Sequence, residues 1–250
     1  MAEPPAVLLI NHGSRAPFAA AFAEALAATL RQERPDRRVA VSFLELNRPS
    51  PTEALRRLVE QGTTDVQAVP LLFSAGYHYR IDVSAAVDAA LAAQPGLRVR
   101  TSPPLLSKTA DKLIAALDSR LDEAIDAAFP LVVAPPDGLV MLAAGSSDPG
   151  ARARVEELAA AWGRRRGLPC QVAFCDLSGD DVRAAIALLQ AGGARHVVCG
   201  ALFLAQGRLL DAGRLAAAQA GADVIAGPLG LTPALLELVR RRCLEPLAAG

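Results

Sequence analysis

Three residues carry the chemistry that is hardest to dismiss: His12, Glu45 and His78. The chain has only three histidines in 250 residues, and two of them follow short apolar runs, His12 in LLINHGSR and His78 in VPLLFSAGYHYRID. Glu45 closes a third such run, in VSFLELNRPS. Two imidazoles and a carboxylate suit Fe, Co, Ni or Zn, and three protein ligands leave coordination positions open. An open position marks a site that handles a metal instead of locking it in. Neutral imidazole near pH 7 also accepts protons. Taken singly, each residue has a plainer use. A strand-end histidine is often satisfied by local hydrogen bonds, and Glu45 is close enough to cap the helix starting near Ser50. His196, at the start of a later apolar run, reads as structural.

The chain repeats itself, and the repeat changes the weight of these residues. LLINHGSRAPFAAAFAEALAATL lies over LVMLAAGSSDPGARARVEELAAAW, setting His12-Gly13-Ser14 on Ala144-Gly145-Ser146 and Pro17 on Pro149. VAVSFLEL lies over CQVAFCDL, setting Glu45 on Asp176. VPLLFSAGYHYRID lies over CGALFLAQGRLLD, setting His78 on Arg208. The turn-forming glycine, serine and proline survive in the second copy, while both imidazoles are lost. One active and one degenerate copy would look like this.

The elements that must position these residues are strands alternating with helices. Short runs rich in Val, Leu and Ile near 7–11, 39–46, 66–73 and 97–102 read as buried parallel strands, repeated near 139–144, 170–177, 196–203 and 222–227. The first helix is expected to bury Phe18, Phe22, Ala25, Leu26 and Leu30. The second opens on Ser50-Pro51-Thr52-Glu53, a capping box with proline at the first helical position, and ends at Gly62. Another runs from about Ser107 on Leu113, Ala116, Leu117, Leu121 and Ile125. The proline-bearing segment Phe129 to Gly138 reads as a linker, which divides the chain into 1–128, carrying the site, and 129–250, its degenerate copy. Right-handed crossovers then give an α/β fold of two flavodoxin-like domains, each a four-stranded parallel sheet of order 2-1-3-4 flanked by helices. In that order the first three strands are neighbours about 4.8 Å apart. His12, Glu45 and His78 would meet at one carboxyl edge, where open α/β sheets bind ligands.

Composition excludes other classes. Acidic and basic residues balance at 26 each, so no general attraction to nucleic acid or a membrane surface is expected. No run reaches the ~20 apolar residues of a membrane span. The N-terminal MAEPPAVLLINHG lacks the basic region of a signal peptide, and Cys170, Cys175, Cys199 and Cys243 lack CxxC spacing. A cytoplasmic protein with reduced, mostly buried thiols is therefore expected. A histidine phosphatase is disfavoured because Asn11 precedes His12. A serine hydrolase is disfavoured because neither Ser14 nor Ser146 sits in G-x-S-x-G.

HGSR after the first strand, FLELNRPS after the second and GYHYRID after the third resemble the class II sirohydrochlorin chelatases, and the likeness covers essentially the whole chain. Longer members of that family are tandem duplications that keep one metal site, in the first half. The resemblance implies insertion of a divalent metal, Fe²⁺ or Co²⁺ with Ni²⁺ as a further option, into sirohydrochlorin, with no organic cofactor. It implies that His12 and His78 bind metal and handle protons, accompanied by Glu45. Gly76, His78 and Asp82 supply the family's Gly-x-His-x-x-x-Asp ending, whereas Ala16 replaces a commonly acidic residue.

For the eight carboxylates of that substrate, Arg15, Arg48 and Arg80 and the amides of Gly13 and Ser14 are the candidate partners, with Gly76 beside them. Tyr77 and Tyr79 are candidates to pack on the ring. Ser146, Ser147 and Arg208 occupy the matching edge of the second copy. A monomer is expected, the duplication standing in for a homodimer. The absence of a histidine-rich tract, common in cobalt-handling relatives, tilts the expectation toward iron. The alternative is a non-catalytic metal-binding protein or metallochaperone using the same His/Glu/His site.

Overall fold

The computed structural model describes residues 4–76, 78–107, 110–129 and 134–244, His78 by its backbone alone. The chain forms two compact units, one of residues up to Thr109 together with those from Leu236 onward, the other Ala110–Leu235.

The first unit is built on strands β1 (Ala6–Asn11), β2 (Val39–Phe43), β3 (Asp65–Pro70) and β4 (Arg98–Thr101), all parallel, in the order β2-β1-β3-β4. β1 is buried along its whole length, which is why it reads AVLLIN with one polar residue at its end. Register aligns Asn11 with Phe43 and Ile10 with Pro70, so the three strands stop at one level and release their loops at one edge. The expected runs to residues 46 and 73 stop sooner as strands. The Leu44 and Glu45 amides nevertheless still bond the Asn11 and His12 carbonyls, at 2.9 and 3.0 Å.

Helix α1 (Pro17–Glu33) buries Ala23, Leu26, Ala27 and Leu30. The expected face was wrong at its start, since Phe18 and Ala25 are exposed. The buried positions 23, 26, 27 and 30 recur at helical spacing, and positions 18 and 25 fall on the opposite side of that period. Helix α2 (Pro51–Glu60) starts on the expected capping box, with Ser50 Oγ accepting from the Glu53 amide and the Glu53 carboxylate accepting from the Ser50 amide. Its Ala54, Leu55 and Leu58 pack with Leu8, Ile10, Val66 and Ala68, and with Ala90 of α3 (Ser84–Ala93).

The second unit repeats the plan with β5 (Gly138–Ala144), β6 (Cys170–Cys175), β7 (Val197–Leu202) and a short β8 (Val224–Ile225), parallel in the order β6-β5-β7-β8. Its helices are α5 (Pro149–Arg166), α6 (Asp180–Ala191) and α7 (Arg208–Gln219), and it also holds α4 (Ala110–Ala128). Packing thus divides the chain elsewhere than the sequence repeat does. α4 lies on β7 and β8, buries Leu113, Ile114, Ala116, Leu117 and Leu121, and accepts through Asp118 from Trp162 Nε1 at 2.8 Å. Helix α8 (Pro233–Leu244) carries the chain back into the first unit. There the buried Arg242 donates to the Ser107 and Pro104 carbonyls, and Arg240 pairs with Glu33.

Candidate functional site

His12 leaves the end of β1, and the turn that follows closes only because residue 13 is glycine. Gly13 has φ +104°, and a Cβ there would stand 1.8 Å from the Glu45 carbonyl oxygen. The HGS loop is therefore pressed directly against the backbone that follows β2. Asn47 ties the two loops from the other side: its Oδ1 accepts from the Ser14 amide at 2.7 Å. The Asn47 amide in turn donates to the Glu45 carbonyl at 2.7 Å, a three-residue turn around Leu46. Ser14 Oγ completes the loop by accepting from the Ala16 amide at 3.0 Å.

These contacts bring His12 Nδ1 within 3.3 Å of Glu45 Oε1, with both side chains partly exposed. The same nitrogen lies 3.3 Å from the Gly13 carbonyl oxygen. A carbonyl and a carboxylate oxygen both accept, so this geometry favours hydrogen on Nδ1 of His12. A carboxylate that fixes the tautomer of a histidine in this way is the usual outer partner of a metal-binding imidazole.

The third segment follows β3. The backbone of His78 begins a π-helical turn, His78–Val83, that leads into α3, and the Arg80 amide donates to the Gly76 carbonyl at 3.1 Å. Irregular turns of this kind recur at functional sites. The His78 side chain and Tyr77 lie outside the described residues. Among the described side chains, no group of three or more His, Cys, Asp or Glu stands together as a metal cage. His12 and Glu45 supply two of the three expected groups. Tyr79 is committed to packing, not to a ring surface: its hydroxyl donates to the Ser102 carbonyl at 3.1 Å, and burial pushes its pKa up.

The arginines expected for carboxylates sit in the three edge loops and are exposed. Arg48 is held by Glu53. Asn47 and Leu46 were missed by the sequence reading, although both lie in the FLELNRPS stretch. An asparagine just past a strand end, able to bond a neighbouring loop, was the available signal.

The second unit keeps the loop geometry and lacks the two imidazoles. Ser146 Oγ accepts from the Asp148 amide at 3.2 Å, the same turn that Ser14 makes, but Ala144 replaces the imidazole. Asp176, in the place of Glu45, accepts from the Ser178 and Gly179 amides and so serves its own loop. The His196 amide donates to Asp137 Oδ1 at 2.7 Å, and its Nδ1 lies 3.5 Å from Asp223 Oδ2. Cys175, Cys199 and Cys243 are buried, and burial pushes all four thiols up to about 12, so they rest as thiols near neutral pH.

Two parallel four-stranded sheets flanked by helices, the first with a histidine–carboxylate pair at its carboxyl edge, define a tandem chelatase-like α/β protein. The chain belongs to the CbiX family, whose profile matches it twice, over residues 6–124 and 138–245. Among curated proteins it is 36% identical over 77 residues to the sirohydrochlorin cobaltochelatase of Methanothermobacter thermautotrophicus. That match covers 31% of this chain and spans about half, 53%, of the relative's length. The same fold is seen in the sirohydrochlorin chelatase SirB from Bacillus subtilis subspecies spizizenii in complex with cobalt (TM-score 0.78, 19% identity, 96% of this chain and 95% of that one). It is seen again in SirB from Bacillus subtilis with Fe³⁺ (TM-score 0.78, 21% identity, 96% of each chain). No described helix is long and apolar enough to cross a membrane.

Proposed function

We propose that the protein is a sirohydrochlorin chelatase that inserts Fe²⁺ or Co²⁺ into the macrocycle and works as a monomer. The observation that carries this reading is the His12–Glu45 pair at the carboxyl edge of the first sheet, beside the segment that His78 begins. Family membership supports it, as does the similarity to a sirohydrochlorin cobaltochelatase.

Insertion exchanges two ring N–H protons for one metal ion, so the site must receive protons and hold the incoming ion partly stripped of water. With hydrogen on Nδ1, His12 offers Nε2 for either task. Glu45 keeps the ring in that tautomer and stabilises the positive charge the imidazole gains when it binds metal or takes a proton. That assigns Glu45 to orientation first and to direct ligation second. His78 is the second imidazole, so that one histidine delivers metal while the other takes the two ring protons in turn and passes each to solvent. Arg15, Arg48 and Arg80, with the Gly13 and Ser14 amides, meet the peripheral carboxylates.

The test is anaerobic incubation of sirohydrochlorin with Co²⁺ or Fe²⁺, followed by absorbance. Metallated product should form much faster with protein than without it. Equal rates would sink the chelatase reading, and tight metal binding without turnover would establish the metallochaperone alternative in its place.

A further inference from the structure

Leu46 is the only non-glycine residue with positive φ among the described residues, at 63°, and its side chain is 56% exposed. A bulky L residue is rarely held there, and leucine has no polar atom with which to offset the strain locally. The surrounding bonds leave it no choice. Asn47 donates its amide across Leu46 to the Glu45 carbonyl, and the Asn47 side chain is itself pinned by the Ser14 amide. The fold thus holds an apolar side chain out in water directly beside Glu45.

The neighbouring loops do the same. Phe18, in the first turn of α1, is 54% exposed, and Ile81, in the π-helical turn, is 50% exposed. Each loop at this edge therefore pairs one exposed apolar residue with one arginine: Phe18 with Arg15, Leu46 with Arg48, Ile81 with Arg80.

We infer that Leu46, with Phe18 and Ile81, forms an apolar seat for the face of a flat ring whose rim is anionic, the three arginines meeting the rim. An apolar centre with a cationic border is complementary to a tetrapyrrole disc with peripheral carboxylates. This inference rests on the chelatase reading and deepens it.

The test is binding of metal-free sirohydrochlorin, followed by its fluorescence, to wild type, Leu46→Asn and Leu46→Phe. Asparagine tolerates positive φ, so the loop keeps its shape and loses only the apolar surface. Leu46→Asn should weaken binding about tenfold, the share expected for a partly buried leucine side chain. Leu46→Phe should bind within about twofold of wild type, because volume and apolarity are retained. Co²⁺ affinity should be the same in all three, and thermal stability of Leu46→Asn should not fall. Unchanged sirohydrochlorin binding by Leu46→Asn overturns the seat and leaves the chelatase reading standing. An equal loss of Co²⁺ affinity overturns it too, assigning Leu46 to the support of Glu45. Failure of the wild type to bind sirohydrochlorin overturns both readings together.

Discussion

His12 Nδ1 stands 3.3 Å from Glu45 Oε1, although the two residues belong to the ends of different strands. Their meeting follows from register. Asn11 is opposite Phe43, and the Leu44 and Glu45 amides continue to bond the β1 end. Because the carboxylate faces Nδ1, its removal should act through the imidazole. Glu45→Gln keeps an acceptor for Nδ1–H and loses the charge, while Glu45→Ala loses both. Insertion rates should therefore fall in the order wild type, Glu45→Gln, Glu45→Ala, the last by roughly 10–100-fold. His12→Ala and His78→Ala should each remove most activity, at least roughly 100-fold, with unchanged circular dichroism. Equal rates for the glutamine and alanine variants would remove the orienting role from Glu45.

Asn47 is predicted to position the HGS loop without touching substrate. Its Oδ1 is the acceptor for the Ser14 amide. Asn47→Asp retains an acceptor, whereas Asn47→Leu fills the space and leaves that amide without its partner, at about 1–3 kcal/mol. Co²⁺ affinity and insertion rate should survive in the aspartate variant and drop about tenfold in the leucine variant, if loop position is what Asn47 supplies. Isothermal titration with Co²⁺ checks this, and equal losses in both variants would count against it.

Much of this architecture is legible in the sequence. Period and composition give eight strands in parallel order, because buried parallel strands are short, apolar and rich in Val, Leu and Ile. The capping box at Ser50 and Glu53 is local chemistry, legible in four consecutive residues. Two features escaped for physical reasons. The contacts of Asn47 and the positive φ of Leu46 exist only once two loops from different strands meet, and no periodicity announces them. The periodicity of α4 reveals which face is buried, Leu113, Ala116, Leu117 and Leu121, but carries no information on which sheet that face will cover.

The helix after the Glu45 loop has a predictable acid response. The Ser50 amide, and then the Arg48 guanidinium, hold the Glu53 carboxyl down at about 2 instead of its ordinary 4.5. The folded value lies below the unfolded one. Its contribution is therefore complete above about 4.5 and is lost as pH falls through about 2. Glu53→Gln should narrow its stability gap from wild type across that window, as read by urea unfolding at each pH. Ser50→Ala, which removes the cap itself, should cost about 1 kcal/mol at neutral pH.

Asp118 tests where α4 belongs. Its carboxylate accepts from Trp162 Nε1 at 2.8 Å and from Arg166 Nε at 2.7 Å, and pairs with Arg165 Nε at 2.8 Å. Trp162 is fully buried and so close to β7 that a Cβ on Gly200 would stand 2.3 Å from its ring. The indole cannot move to find water. Asp118→Ala therefore strands a buried N–H, at about 1–3 kcal/mol, and leaves two guanidinium groups without their shared anion. Asp118→Asn keeps an acceptor for the indole and should recover part of the loss. Because α4 packs within the second unit, the damage should appear there. Hydrogen exchange should speed up in β7 and α5 while β1 and α2 keep their protection. If exchange instead quickened in β1 and left β7 protected, α4 would be bound to the first sheet and the division at Ala110 would be wrong.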